Sequence, residues 1–193
     1  MQLFGQLRFL LRITRSTGIA RRYFVTNGFD GALTMLGLLM GFRISGSIPL
    51  EVALSACLGA AIALTMSGLS SAYISETAER KKELRELEEA MLDELDDSAH
   101  AQAAKLAPIV IALVNGLAPF GTAVIIMSPL WMARAGFPLP LSPFAAAAAV
   151  ATALLFLYGI YLGSISGTFW LWSGIRTLII AIVTGGLILL LGG

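Results

Sequence analysis

Charge is what this sequence has least of. Only 13% of its 193 residues are Asp, Glu, Lys or Arg, against roughly 25% in an average soluble domain. Cysteine is almost absent: Cys57 stands alone, which excludes a disulfide framework and a cysteine metal cluster. His100 is the one histidine, so no zinc site of paired histidines is available. No nucleophile elbow, phosphate loop or zinc-protease motif occurs, and the chain is read as a non-enzyme. No basic patch interleaved with aromatics occurs beyond the N-terminal segment, so no nucleic-acid partner is expected. A cleavable signal peptide is also missing, because the apolar stretch from Phe9 to Ile13 is short and interrupted by Arg12.

What the chain does have is long apolar runs, with 57% apolar residues overall. The few charges are segregated. Five of the 13 basic residues fall between Arg8 and Arg22 and five between Arg80 and Lys105, while ten of the 12 acidic residues fall between Glu76 and Asp97. The pattern predicts an all-α polytopic membrane protein with five transmembrane helices and a cytoplasmic helical insert between the second and third. Residues 1–28 read as a basic amphipathic segment, with Arg8, Arg12 and Arg15 at helical spacing, that lies on the anionic leaflet, or else as a merely solvated basic tail. Residues 29–74 hold transmembrane helices 1 and 2, with spans expected over 29–48 and 51–74. Residues 75–105 are the acidic insert, and 106–193 hold spans 3 to 5, over 106–133, 144–165 and 169–191. The third is long enough to tilt or to kink at Pro119. Trp131, Trp170 and Trp172 fall near span ends, where indole rings settle among headgroups. With five spans, the N-terminus and the insert share a side that carries ten of the 13 basic residues. The positive-inside rule makes that side cytoplasmic and puts the C-terminus outside.

Several residues invite a chemical reading. Glu76, Glu79, Glu83 and Glu86 recur at three- and four-residue steps, so their carboxylates share one side of a helix that Asp93 and Asp97 extend. Lys82 and Arg85 are too few to neutralise that face. Carboxylates one turn apart can jointly ligate a divalent cation; equally, a solvated acidic helix can use its Leu84, Leu87, Met91 and Leu95 stripe to pair with a partner. Asp30 is an ionisable group within reach of the first span, which points to an ion path, or else it caps the first helix at the interface. Met35, Met40, Met66 and Met127 supply thioethers, soft ligands or ordinary gap-fillers. Asn115 needs a partner between helices. Gly37 and Gly41, and Gly159 and Gly163, are pairs that permit close helix approach, and the first pair is the expected face of a twofold dimer.

Five short motifs in order resemble the vacuolar iron transporter family. Phe29-Asp30-Gly31-Ala32-Leu33-Thr34 is similar to the opening of that family's first span. Thr65-Met66-Ser67-Gly68-Leu69, running into Tyr73 and Glu76, is similar to its second span, and Asn115-Gly116-Leu117-Ala118-Pro119 to its third. Tyr161 to Gly167 and Ser173-Gly174-Ile175-Arg176 resemble the end of the fourth span and the start of the fifth. The chain departs from the family in having Leu58 where a glutamate is common, and in a shorter insert. A prokaryotic cell membrane is the expected location, and the resemblance implies a homodimer that exports Fe²⁺, Mn²⁺ or similar cations from the cytoplasm in exchange for protons. It implies that Asp30 and Met66 line the path, to which Met35 and Asn115 are added, and that Glu76, Glu79, Glu83 and Glu86 collect the metal. No permanently bound cofactor is expected; divalent cations enter as substrate. The alternative is a non-transporting membrane scaffold whose acidic cytoplasmic helix binds a protein partner.

Overall fold

The computed structural model describes residues 16–46, 48–92, 95 and 98–192, and every element among them is a helix. In chain order these are α1 (Ser16–Ile44), α2 (Leu50–Met91), α3 (Ala99–Arg134), α4 (Pro143–Ser166) and α5 (Trp170–Gly192). Four of them, α2 to α5, are long and apolar enough to cross a membrane, which fits a multi-pass membrane protein. The exception is α1, whose apolar stretch is diluted by Thr26, Asn27, Asp30 and Thr34.

Two expected boundaries leave no mark on the helices. The N-terminal segment should end at residue 28, yet α1 passes through Gly28 and Phe29 without a break; residues 1–15 of that segment lie outside the described residues. The second span should give way to a separate insert at residue 75, yet α2 continues for 42 residues to Met91, about 63 Å at 1.5 Å per residue. The reason is local. From Ser75 to Ala90 there is no glycine or proline, and Glu, Lys, Arg, Leu and Ala are good helix formers. The helix ends where Leu92 turns to φ +54°. Asp93 and Asp97, expected to extend the acidic side, lie outside the described residues. Pro119 does not interrupt α3, which is one helix from Ala99 to Arg134.

Contacts divide the chain into two compact units. The larger comprises residues 25–64 and 118–193. Its core takes one stripe from each helix: Ala32, Met35, Leu36 and Leu39 on α1, for example, recur at the three- and four-residue steps of a single helical face. Ala123, Ile126, Met127 and Leu130 do the same on α3. On α4 the buried positions Ala147, Ala151, Leu155, Gly159 and Gly163 fall every fourth residue. Small residues let backbones approach, which matters where lipid removes the hydrophobic drive for helix association. A Cβ on Gly159 would lie 2.8 Å from the Ser173 carbonyl oxygen, and one on Gly163 2.7 Å from Ser173 Cβ, so α4 and α5 touch here without room for a methyl. Ser142 caps α4 by accepting from the Ala145 N–H at 3.3 Å, Pro143 opens the first turn, and Gly167 at φ +68° ends it. The other glycine pair behaves differently. A Cβ on Gly37 would meet only Ile188 Cδ1 of the same chain, at 3.6 Å, and Gly41 faces open space.

The smaller unit comprises residues 1–24 and 65–117. Here α2 and α3 cross at Gly68 and Gly116. A Cβ on Gly68 would stand 3.1 Å from the Asn115 carbonyl oxygen, and one on Gly116 2.8 Å from the Thr65 carbonyl oxygen. Asn115, buried at this crossing, donates its side-chain amide to the Gly68 carbonyl oxygen at 2.8 Å.

Candidate metal-transport site

Asp30 is the fifteenth of the 29 residues of α1, its midpoint. That position rules out the capping role, since the helix begins about 21 Å earlier. Its neighbours in the larger unit fix how α1 is held. Gly31 packs on Pro119, where an added Cβ would fall 2.8 Å from Pro119 Cα, and Gly28 packs on the Tyr158 hydroxyl. Tyr158 Oη lies 2.7 Å from Thr122 Oγ1, which itself donates to the Ala118 carbonyl oxygen at 2.9 Å. The glycines thus face the interior of the unit, while Asp30 stays exposed. Tyr158 and Thr122 form a partly buried polar contact beside α1 that sequence reading misses, because each looks like an ordinary residue in an apolar run.

The other candidates separate into different environments. Met35 is fully buried in the core of the larger unit. Met66 belongs to the smaller unit and is 56% exposed. Asn115 finds the interhelical partner expected of it, and that partner is the Gly68 backbone. At the far end of the larger unit, Arg134 Nε lies 3.0 Å from Glu51 Oε1, both side chains more than half exposed. The pair suits both helix ends, with a carboxylate in the first turn of α2 and a guanidinium in the last turn of α3.

The four glutamates do not form one even acidic face. Glu76 is buried, whereas Glu79, Glu83 and Glu86 are exposed. Arg80 lies between them and donates through Nη1 to Glu83 Oε2 at 2.6 Å and through Nη2 to Glu76 Oε2 at 3.4 Å. Lys82 Nζ stands 3.8 Å from Glu86 Oε1 on the solvated side. Arg80, which the weighing of Lys82 and Arg85 against the acidic side left out, is the counter-charge that pairs with two of the four glutamates. Its position, four residues after Glu76 and three before Glu83, is the signal that could have found it. Among the described residues, no three His, Cys, Asp or Glu side chains converge within one chain.

The chain is 27% identical, over 158 residues, to an uncharacterized protein of Methanocaldococcus jannaschii, a match that covers 80% of this chain and 79% of that protein. No family model and no solved structure matches the chain.

Proposed function

We propose that the protein is a divalent metal cation transporter, exporting Fe²⁺- or Mn²⁺-like ions from the cytoplasm in exchange for protons. In this reading α1 is a fifth membrane span, the N-terminus and the acidic end of α2 are cytoplasmic, and the C-terminus is outside. The observation that carries it is Asp30, a carboxylate at the centre of a 29-residue helix whose side chain its own chain leaves exposed. A carboxylate at membrane depth is costly unless it meets water, a cation or another subunit. A homodimer that encloses a wet path along α1 supplies all three. Two copies also compensate for the absence of a three-ligand cluster among the described residues of one chain. An ionised Asp30 binds the cation and a protonated one releases it, which couples metal to proton movement. The resemblance in motif order to vacuolar iron transporters supports the same reading. Flux of Mn²⁺ into proteoliposomes, with and without an opposing pH gradient, is the test. Gradient-dependent flux is expected, and none for any divalent cation sinks the proposal.

One observation favours the second reading, a non-transporting membrane scaffold. Arg80 already pairs two of the four glutamates, and half-buried Leu84 and Leu87 on the same helix are suited to a protein partner. A scaffold predicts no flux and no loss on replacing Asp30.

A further inference from the structure

Arg176 is the one Lys or Arg after Arg134, and no Asp or Glu follows Asp97. It is the seventh of the 23 residues of α5, about 9 Å from the helix start at 1.5 Å per residue. The whole helix is about 35 Å long, against a hydrocarbon core of about 30 Å. However the overhang is shared, the Arg176 backbone lies below the headgroups. A cation at that level is costly unless its side chain reaches the interface or finds an anion. The larger unit holds two acids, Asp30 and Glu51, and Glu51 pairs with Arg134. Among the described residues no hydrogen bond or ion pair reaches the Arg176 guanidinium. Its partner is the Trp172 ring, whose centroid lies 5.9 Å from Arg176 Cζ. That contact runs back one turn toward the start of α5, so the guanidinium is already turned to the interface. An indole over the guanidinium plane covers one face and leaves the N–H edges open.

The surface on either side of this pair has a definite order. Phe169, Trp172, Arg176, Ile180, Val183 and Leu187 recur at three- and four-residue steps, on one side of the helix, and all six are exposed. Aromatic rings come first, then the charge, then aliphatic side chains. A phospholipid runs in the same order, from headgroup through phosphate to acyl chain.

We infer that this face of α5 binds an anionic phospholipid, its phosphate accepting from the open edge of Arg176 and its acyl chain lying along Ile180, Val183 and Leu187. The inference rests on the membrane-spanning reading and not on metal transport. The paired N–H donors of a guanidinium match two phosphate oxygens. In the topology proposed above, the start of α5 shares the side of the N-terminus, where the leaflet is anionic. Net headgroup charge is what the site distinguishes. A zwitterionic lipid carries its own ammonium beside the phosphate, which repels the guanidinium; phosphatidylglycerol carries none.

The test uses the full chain with Trp131→Phe and Trp170→Phe, which leaves Trp172 as its one indole. It is reconstituted into mixed bilayers in which either phosphatidylcholine or phosphatidylglycerol has brominated chains, which quench a neighbouring indole. Quenching is expected to show phosphatidylglycerol preferred about fivefold, the factor that one basic residue carries at an anionic surface. Arg176→Gln should abolish the preference, and Arg176→Lys should keep part of it. Arg134→Gln removes an arginine that already has an acid partner and should leave the preference unchanged. No preference in the parent protein, an unchanged preference in Arg176→Gln, or an equal loss in Arg134→Gln overturns the inference. So does an absence of quenching by both lipids, which means that protein, a second copy of this chain included, covers Trp172. Should the single-tryptophan chain fail to fold, native mass spectrometry of the chain with all its tryptophans decides, by whether Arg176→Gln loses retained phosphatidylglycerol. None of these outcomes bears on flux, so the transport reading stands or falls separately.

Discussion

Asn115 donates its side-chain amide to the backbone carbonyl of Gly68, 2.8 Å away, at the point where α2 and α3 touch backbone to backbone. The contact joins a buried polar group to a position where a Cβ would be crowded by backbone atoms at 3.1–3.4 Å. A methyl on Gly68 has backbone atoms as its nearest neighbours, so the two helices must shift apart by a few tenths of an ångström. Gly68→Ala is expected to destabilise the folded protein by about 1–3 kcal/mol. Asn115→Ala should cost less, about 0.6–1.7 kcal/mol, the range for hydrogen bonds between membrane helices. Unfolding in mixed micelles measures both, and an Asn115→Ala loss exceeding that of Gly68→Ala would show that the bond, not the close approach, holds the crossing.

Asp30→Asn keeps size and a hydrogen-bonding oxygen but removes the charge. Because Asp30 is exposed and mid-helix, the variant should fold and assemble like wild type while metal flux is abolished. Wild-type flux from Asp30→Asn ends the proposed mechanism; loss of folding along with flux shows a structural role.

Met66 and Met35 are expected to respond in opposite ways. Met66 is 56% exposed, so Met66→Leu should leave stability unchanged and lower the preference for softer metal ions. Met35 is fully buried, and Met35→Ala opens a cavity costing about 2–5 kcal/mol without altering metal preference. Competition flux assays paired with thermal unfolding separate these outcomes.

Sidedness is accessible by cysteine labelling in intact cells. Cys57 is buried, so the native thiol contributes little background. Ser45 and Ala90 are both exposed. An impermeant maleimide should label Ser45→Cys from outside and Ala90→Cys only after lysis. The reverse pattern removes the cytoplasmic assignment of the acidic stretch.

Much of the helical frame is legible in the sequence, and the reasons are uneven. Apolar runs bounded by Pro138, Pro140 and Pro143, or by Gly167, place α4 and α5 within a residue or two, because chain breakers coincide with changes in hydropathy. The passage from apolar to charged composition near residue 75 marks no helix end, since a change of solvent is not a change of secondary structure. The helix formers on either side carry α2 straight through. Asn115 is legible as a residue that must bond across helices, though not that its acceptor is a backbone carbonyl. Arg80 is visible in spacing and hidden in consequence. Periodicity puts it beside Glu76 and Glu83, but burial depends on tertiary surroundings that no local pattern encodes. The glycine pairs look alike in sequence and differ in use: Gly159 and Gly163 meet α5 at contact distance, while Gly41 meets nothing.

The capped start of α4, its left-handed stop at Gly167 and the glycine contact with α5 make residues 143–192 a hairpin whose two helices meet at contact distance, while Ala147, Ala151, Leu155 and Ala181 turn to the core shared with α1 and α3. Such a segment needs nothing upstream to find its own pairing. Its two helices can pair with each other before the rest of the core closes on them. A chain cut in the loop before Ser142 should therefore reassemble from two separately expressed fragments. A cut between Gly167 and Trp170 divides the hairpin itself and should not.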